Sequence, residues 1–193
     1  MAANTQTMGI FNSTELDIIM IRAIVFLLSL LIVVTVPAHA KQHGYAIHYI
    51  HGEGSVDGIK LAYQYHPELD LPPAWRHFDV HFESSINFWR YGEDNHHDGN
   101  FVLAVSPMIR YPFTTFNGHP VAIEFGIGVA LLDDTQFAGK DVSTHYQFED
   151  RVGLVYQMGD ANVAIRYMHY SNAGFKSPNP GLDFLSLSYS AYF

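Results

Sequence analysis

Three side chains near the C-terminus are of the types, and at the spacing, that acyl transfer uses. Residues 163–171 read Val-Ala-Ile-Arg-Tyr-Met-His-Tyr-Ser. In an extended strand successive side chains point to opposite faces. Val163, Ile165 and Tyr167 therefore share a face, which His169 and Ser171 continue, while Ala164, Arg166, Met168 and Tyr170 take the other. At i, i+2 the Cα atoms lie about 6.5–7 Å apart, close enough for the two side chains to reach each other. A serine hydroxyl becomes a nucleophile when a neighbouring imidazole takes its proton. A carboxylate that orients the imidazole and balances its charge completes such a set. Asp183 is the candidate for that place. If the chain folds back through 173–182, the strands ending at Ser171 and beginning at Asp183 are antiparallel neighbours, and Asp183 returns beside His169 on the face that also holds Leu185. The bland alternative is a polar, wet strand end, and spacing alone allows both.

Strands must position these groups, and the chain after residue 40 alternates with period two almost throughout. In 121–132, Val121, Ile123, Phe125, Ile127, Val129 and Leu131 oppose Ala122, Glu124, Gly126, Gly128 and Ala130. Phe78, Val80 and Phe82 alternate with His77, Asp79, His81 and Glu83. Ile59, Leu61, Tyr63 and Tyr65 share a face, as do Leu185, Leu187, Tyr189, Ala191 and Phe193. The alternation predicts eight strands, near 44–51, 55–66, 75–91, 100–112, 120–132, 143–158, 162–172 and 183–193. Turn chemistry separates several of them, as at Gly52-Glu53-Gly54, Asn117-Gly118-His119-Pro120 and Gly159-Asp160-Ala161-Asn162. No internal repeat stands out beyond this hairpin alternation.

Composition narrows the class. The 193 residues carry a net charge of −9, so no basic footprint for nucleic acid is present. Charged residues make up 15%, against about 25% in soluble domains, and aromatics also reach 15%. There is no Cys, which excludes a disulfide scaffold and a thiolate zinc site. Mean hydropathy is +0.03, too low for a helical membrane bundle. Few charges, many aromatics and an average near zero fit an all-β, eight-stranded antiparallel transmembrane β-barrel, whose lipid face is apolar and whose lumen is polar. A secreted lipocalin-like barrel would use the same periodicity with the faces exchanged. The Gly, Ser and Ala on the polar faces and the terminal Phe193, preceded by Tyr189 and Tyr192, favour the membrane form.

The N-terminus carries an export pattern. Arg22 precedes an apolar run over 23–36, followed by Pro37 and Ala38-His39-Ala40. A short apolar core before a small-x-small site reads as a cleaved signal peptide, being shorter than the ~20 residues that span a bilayer. Residues 1–40 are assigned to an N-terminal extension and signal peptide, and 41–193 to the barrel. Met20 would by itself open a complete signal.

The run His169-Tyr170-Ser171-Asn172-Ala173-Gly174, followed by Pro178-Asn179-Pro180-Gly181-Leu182-Asp183, resembles the signature of the lipid A 3-O-deacylases, the PagL-like outer-membrane enzymes. Phe148-Glu149-Asp150-Arg151-Val152-Gly153 is similar to that family's penultimate hairpin. The close match covers roughly 145–193; upstream it rests on strand number and size. The resemblance implies an eight-stranded barrel of the bacterial outer membrane that hydrolyses the 3-position ester of lipid A in lipopolysaccharide and releases a 3-hydroxy fatty acid. It implies His169 as base, Ser171 as nucleophile and Asp183 as acid, with Asn172, Gly174 and Asn179 near the oxyanion site. The family more often has Glu at the acid position, so Asp183 puts geometry rather than chemistry in question. Serine ester hydrolysis needs no cofactor and no metal, and the resemblance allows a homodimer without demanding one.

Other clusters read as structural. The loop Glu93-Asp94-Asn95-His96-His97-Asp98 is a solvated loop before it is a cation site. His77, Asp79, His81 and Glu83 read as lumen packing, with Arg151 and Arg166 as counter-charges. Lys140, Lys176 and Arg110 are too scattered for a phosphate cleft. Two rival functions keep the barrel: a non-catalytic adhesion or envelope-integrity protein, which has no use for the three polar groups, and an outer-membrane phospholipase, which would use all of them.

Overall fold

A computed structural model describes residues 42–92 and 98–193. The export signal expected over residues 1–40, and the His96–His97 loop apart from Asp98, lie outside the described residues. Eight long strands form a closed antiparallel barrel: β1 (His43–Gly52), β2 (Val56–Tyr65), β3 (Asp79–Tyr91), β4 (Asp98–Phe116), β5 (His119–Leu132), β8 (Tyr146–Met158), β9 (Ala161–Ser171) and β10 (Leu182–Tyr192). Each long strand pairs with its neighbour in sequence, and β10 closes on β1. The connection between β5 and β8 holds a two-stranded pair of its own, β6 (Gln136–Phe137) with β7 (Lys140–Asp141).

The expected strands are all present, with shifted ends. β3 begins at Asp79 rather than near 75, because Pro72 and Pro73 open a short 3-10 turn over Pro73–Trp75. β4 continues past 112 to Phe116, with a register irregularity between Pro112 and Thr114 where proline cannot donate to the ladder. β8 begins at Tyr146 rather than 143. Ser143 has φ 58°, outside the strand region, and its N–H donates to Asp141 Oδ1 at 2.7 Å.

Burial settles which face is inside. Phe125, Ile127, Val129 and Leu131 are exposed, whereas Glu124 on the opposite face of β5 is buried. A water-soluble barrel would invert this, so the apolar surface belongs in lipid. The lumen is narrow. A Cβ on Gly128 would lie 1.9 Å from Ser106 Oγ, so the chain needs glycine there for the wall to close.

Charges taken into the lumen are paired there. Glu124 accepts from Arg110 Nη2 at 2.7 Å and from Arg166 Nε at 2.5 Å. Glu83 accepts from Arg151 Nη1 at 2.6 Å, and Lys60 Nζ donates to Glu149 at 3.0 and 3.1 Å. Arg151 and Arg166 are thus lumenal counter-charges. His81 and Glu83 are buried in that network and Asp79 lies at its edge, but His77 is exposed in the connection before β3. His77 precedes the strand, so the alternation does not bind it.

At the end where β9 stops and β10 starts, the lumen is apolar. Ile50, Trp89, Val102, Leu132, Phe137, Val142, Met168, Tyr170, Leu182 and Phe184 form one buried cluster. Trp89 packs on Tyr170 and Phe184 at ring distances of 4.8 and 4.7 Å. At the opposite end Phe193 stacks on Tyr45 at 5.0 Å, and its N–H donates to His43 O at 2.8 Å, tying the C-terminus to β1.

A buried carboxylate shared by two guanidinium groups cannot be removed cheaply. Glu124→Ala is expected to destabilise the barrel by about 3–5 kcal/mol in urea unfolding from detergent micelles, and Glu124→Gln by less.

Candidate active site

The parity expected for β9 and β10 is observed. Ala164, Arg166, Met168 and Tyr170 are buried, while Ile165, Tyr167, His169 and Ser171 face outwards. In the register of β9 and β10, Asp183 stands directly opposite His169 and Leu182 opposite Tyr170. Behind this pair, Tyr170 Oη donates to Glu149 at 2.5 Å and Phe184 packs on Trp89. The lumen therefore holds the strand ends from within while His169 and Asp183 project from the outer surface.

His169 Nδ1 lies 2.7 Å from Asp183 Oδ1, with the two side chains 35% and 27% exposed. Tyr167 Oη donates to the same oxygen at 2.5 Å. A direct cross-strand position lets the shorter Asp reach the imidazole. With the Nδ1 proton held by the carboxylate, Nε2 is left as the basic nitrogen. Ser171 lies on the same face, two residues further along β9, opposite Phe148 of β8. Among the described residues its hydroxyl has no hydrogen-bond partner, so the Ser–His contact is not closed in this state. Catalytic contacts of this kind commonly tighten only around bound substrate. Tyr146, Phe148 and Phe175 line up beside Ser171, with ring separations of 5.3 and 6.2 Å, and offer an apolar wall.

The connection 172–181 is organised by Asn172, which is buried. Its Nδ2 donates to Val142 O at 3.2 Å and to Lys176 O at 3.0 Å, while its Oδ1 accepts from Gly174 N at 2.9 Å. Its own N–H donates to Asn179 Oδ1 at 3.1 Å. Of the three residues expected near an oxyanion, Asn172 and Gly174 thus spend their N–H groups inside the loop. The Asn179 amide N–H2 and the backbone N–H of Ala173 have no acceptor among the described residues. The β5–β8 connection clamps this loop from outside. Ser143 Oγ donates to Pro178 O at 2.5 Å, Lys176 Nζ to Ser143 O at 2.9 Å, and Lys140 Nζ to Gly181 O at 3.1 Å. Lys140 and Lys176 are therefore loop ties, and Arg110 belongs to the lumen.

Tyr167 and Gly181 escape a reading by residue type. Tyr167 looks like an ordinary lipid-facing aromatic, although its place two residues before His169 is a usable signal. Gly181 has φ 70°, and a Cβ there would lie 2.6 Å from His169 Cε1. Glycine is needed for both reasons.

Among the described residues, His66, Asp79 and His81 bring ligand-type atoms within 4.8 Å of one another at the opposite end of the barrel. The two imidazoles are stacked at 4.7 Å rather than converging edge-on, and Arg110 Nη1 donates to Asp79 at 3.3 Å. With the imidazoles stacked, His66 Nδ1 3.3 Å from Asp79 and Asp79 also bonded to Arg110, the group reads as the end of the lumenal network.

An eight-stranded closed barrel with an apolar outer surface and paired charges in its lumen is a transmembrane β-barrel of the outer-membrane type, and this one carries a His–Asp pair on its outer face. Comparison with known proteins narrows this class. The family model for lipid A 3-O-deacylase (PagL) matches residues 57–192, and the chain belongs to that family. The Lipid A deacylase PagL of Bordetella bronchiseptica is 31% identical over 169 residues, covering 82% of this chain and 88% of that one. The Lipid A deacylase PagL of Pseudomonas aeruginosa is 33% identical over 110 residues, covering 56% of this chain and 62% of that one. The crystal structure of the outer membrane enzyme PagL superposes with a TM-score of 0.66 at 25% identity, covering 77% of this chain and 98% of that one.

Gly181→Ala is expected to push the His169 ring off Asp183 while leaving the barrel folded. Proton NMR in micelles should show the strongly downfield Nδ1–H signal of His169 in the parent chain and its loss in the variant. An unchanged signal would mean that the loop yields instead of the ring.

Proposed function

We propose that this chain hydrolyses the 3-position acyl ester of lipid A in the outer leaflet of the bacterial outer membrane, with Ser171 as nucleophile, His169 as general base and Asp183 holding the imidazole. The observation that carries the reading is the 2.7 Å contact between His169 and Asp183 on the outer face, with Ser171 two residues further along the same strand. Membership of the deacylase family supplies the substrate class.

The chemistry follows from the residues. Ser171 Oγ attacks the ester carbonyl carbon while His169 Nε2 takes the hydroxyl proton. Asp183 keeps Nδ1–H oriented and offsets the charge of the imidazolium. The amide of Asn179 and the N–H of Ala173, both uncommitted to the loop, are the donors available to the developing oxyanion. Collapse breaks the bond to the sugar oxygen, which leaves with the proton from His169. The acyl group then resides on Ser171, and water, deprotonated by the same imidazole, releases it as the 3-hydroxy fatty acid. No step calls for a cofactor, a metal or a second copy of the chain.

The placement suits the substrate. Lipid A keeps its acyl chains in the bilayer, so its ester lies at the level of the barrel rim and arrives laterally. The connections 133–145 and 172–181 lie at the end where the site sits, while the turns 117–118 and 159–160 and the connection 66–78 lie at the other; the site's end is the outward one if those two short turns face the periplasm. The aromatic wall of Tyr146, Phe148 and Phe175 would lie along the leaving acyl chain.

Mass spectrometry of lipid A from cells expressing the chain should show loss of one 3-hydroxyacyl group from position 3. Ser171→Ala and His169→Ala should each lower acyl release by roughly 10³-fold or more, and Asp183→Asn by roughly 10²–10⁴-fold. Tyr167→Phe, which removes one hydrogen bond to Asp183, should cost about tenfold or less. Unchanged lipid A with the barrel folded in the outer membrane would overturn the reading. Fatty acid release from vesicles containing phospholipid alone would turn it into a phospholipase.

A further inference from the structure

The outer face carries a second His–Asp pair built like the first. Tyr49 and His51 lie two residues apart on β1, and Asp57 stands directly opposite His51 on β2. Asp57 Oδ1 lies 2.9 Å from His51 Nδ1 and accepts from Tyr49 Oη at 2.5 Å. Tyr167, His169 and Asp183 make the same three-way contact on β9 and β10. The local sequences agree as well. Ala46-Ile47-His48-Tyr49-Ile50-His51 and Ala164-Ile165-Arg166-Tyr167-Met168-His169 are identical at four of six positions. The likeness is too short to stand out as a repeat until the register places the two acids.

The copies differ where the nucleophile would be. Two residues beyond His169 is Ser171, whereas two residues beyond His51 is Glu53, whose carboxylate is held by Lys140 at 2.6 Å. The second pair is an oriented imidazole with no nucleophile beside it. It is also more open, with the His51 and Asp57 side chains 60% and 42% exposed. In the register of β2 and β3, Arg90 stands opposite Asp57. Arg90 is exposed; among the described residues its guanidinium makes no hydrogen bond, and its charge acts on Asp57 across the strand pair. Barrel closure sets this patch beside the first pair. His51 is opposite Leu185 on β10, and Leu185 is opposite Tyr167 on β9. Two interstrand spacings and one two-residue step put the Cα atoms of His51 and His169 about 12 Å apart.

An imidazole with Nδ1 on a carboxylate offers Nε2 to a phosphate in either protonation state. It accepts from P–OH when neutral and donates to P–O⁻ when protonated, with Asp57 holding the added charge. A guanidinium matches phosphate oxygens in pairs. On a chain of net charge −9 these groups, level with the site and facing lipid, are suited to an anionic headgroup.

We propose that His51, positioned by Asp57 and flanked by Arg90, is a phosphate-binding subsite that receives a phosphate of the lipid A disaccharide while its acyl ester lies at Ser171. The identity of the ligand rests on the deacylase reading; the recognition of a lipid phosphate does not.

The test is binding to the Ser171→Ala barrel in uncharged detergent micelles, followed by isothermal titration. The probes are lipid A with both phosphates, the same lipid A with its phosphates removed, and phosphatidylglycerol. The phosphorylated lipid A should bind about tenfold more tightly than the dephosphorylated form. That preference should vanish when His51→Gln and Arg90→Gln are added, with heat-modifiable migration on gels showing that the barrel remains closed. A preference that survives the double substitution, or none in the parent barrel, overturns the proposal. Phosphatidylglycerol bound as tightly as phosphorylated lipid A overturns the lipid A assignment and makes the ligand a general lipid phosphate. Acyl release by the Ser171 chain is measured in parallel. No release with a His51-dependent preference refutes the deacylase reading alone, and release with an insensitive preference refutes the subsite alone.

Discussion

Glu124, caught between Arg110 and Arg166, and Glu83 and Glu149, shared among Lys60 and Arg151, occupy the space inside the barrel. Ions taken out of water are tolerable only when paired, and unpairing one is costly. These strands therefore have one workable orientation, with charges meeting in the lumen and aliphatic side chains in lipid. The position of every outward group follows, because a strand with alternate residues fixed inside has no choice about the others. His169 and Asp183 are on the lipid face because Arg166, Met168, Phe184 and Ser186 are not.

The lumen also divides its labour along the barrel axis. Charges fill the middle and the end near His43 and Phe193, and an apolar cluster around Trp89, Tyr170 and Phe184 fills the end beneath the site. That cluster braces the strand ends from within, and the 172–181 loop is tied internally by the buried Asn172 and to the β5–β8 connection by Ser143 and Lys140. The imidazole is left with Asp183 bonded to it from β10, Asp150 opposite it on β8 and a loop glycine against its ring. A hydrolase acting on a membrane lipid needs no lumenal pocket under these conditions.

Family resemblance and geometry carry different parts of the account. Matching of residues 57–192 to the deacylase family speaks for the reaction class. It does not say why Asp rather than Glu can serve beside His169. The register does, since a directly opposed pair is within reach of the shorter side chain. The doubled Tyr-x-His motif likewise has no meaning until closure of β10 on β1 brings both copies to one side of the barrel.

Much of this was legible in the chain itself. Period-two alternation marked all eight strands, because a wall with lipid on one side and a polar lumen on the other imposes that period on each segment. The i, i+2 spacing of His169 and Ser171 put them on one face for the same reason, and the fold-back of 173–182 brought Asp183 to that face. Periodicity is symmetric, however, and does not say which face is inside; the Gly, Ser and Ala of the polar faces and Phe193 favoured one orientation, and the burial of Glu83, Glu124 and Glu149 among lumenal cations decided it. Tertiary structure alone decided the sharing of Asp183 by Tyr167, the dependence of His169 on a glycine twelve residues away, and the register that sets the His51–Asp57 pair beside the His169–Asp183 pair. Each depends on contacts between segments distant in sequence, and residue type and spacing carry no record of those.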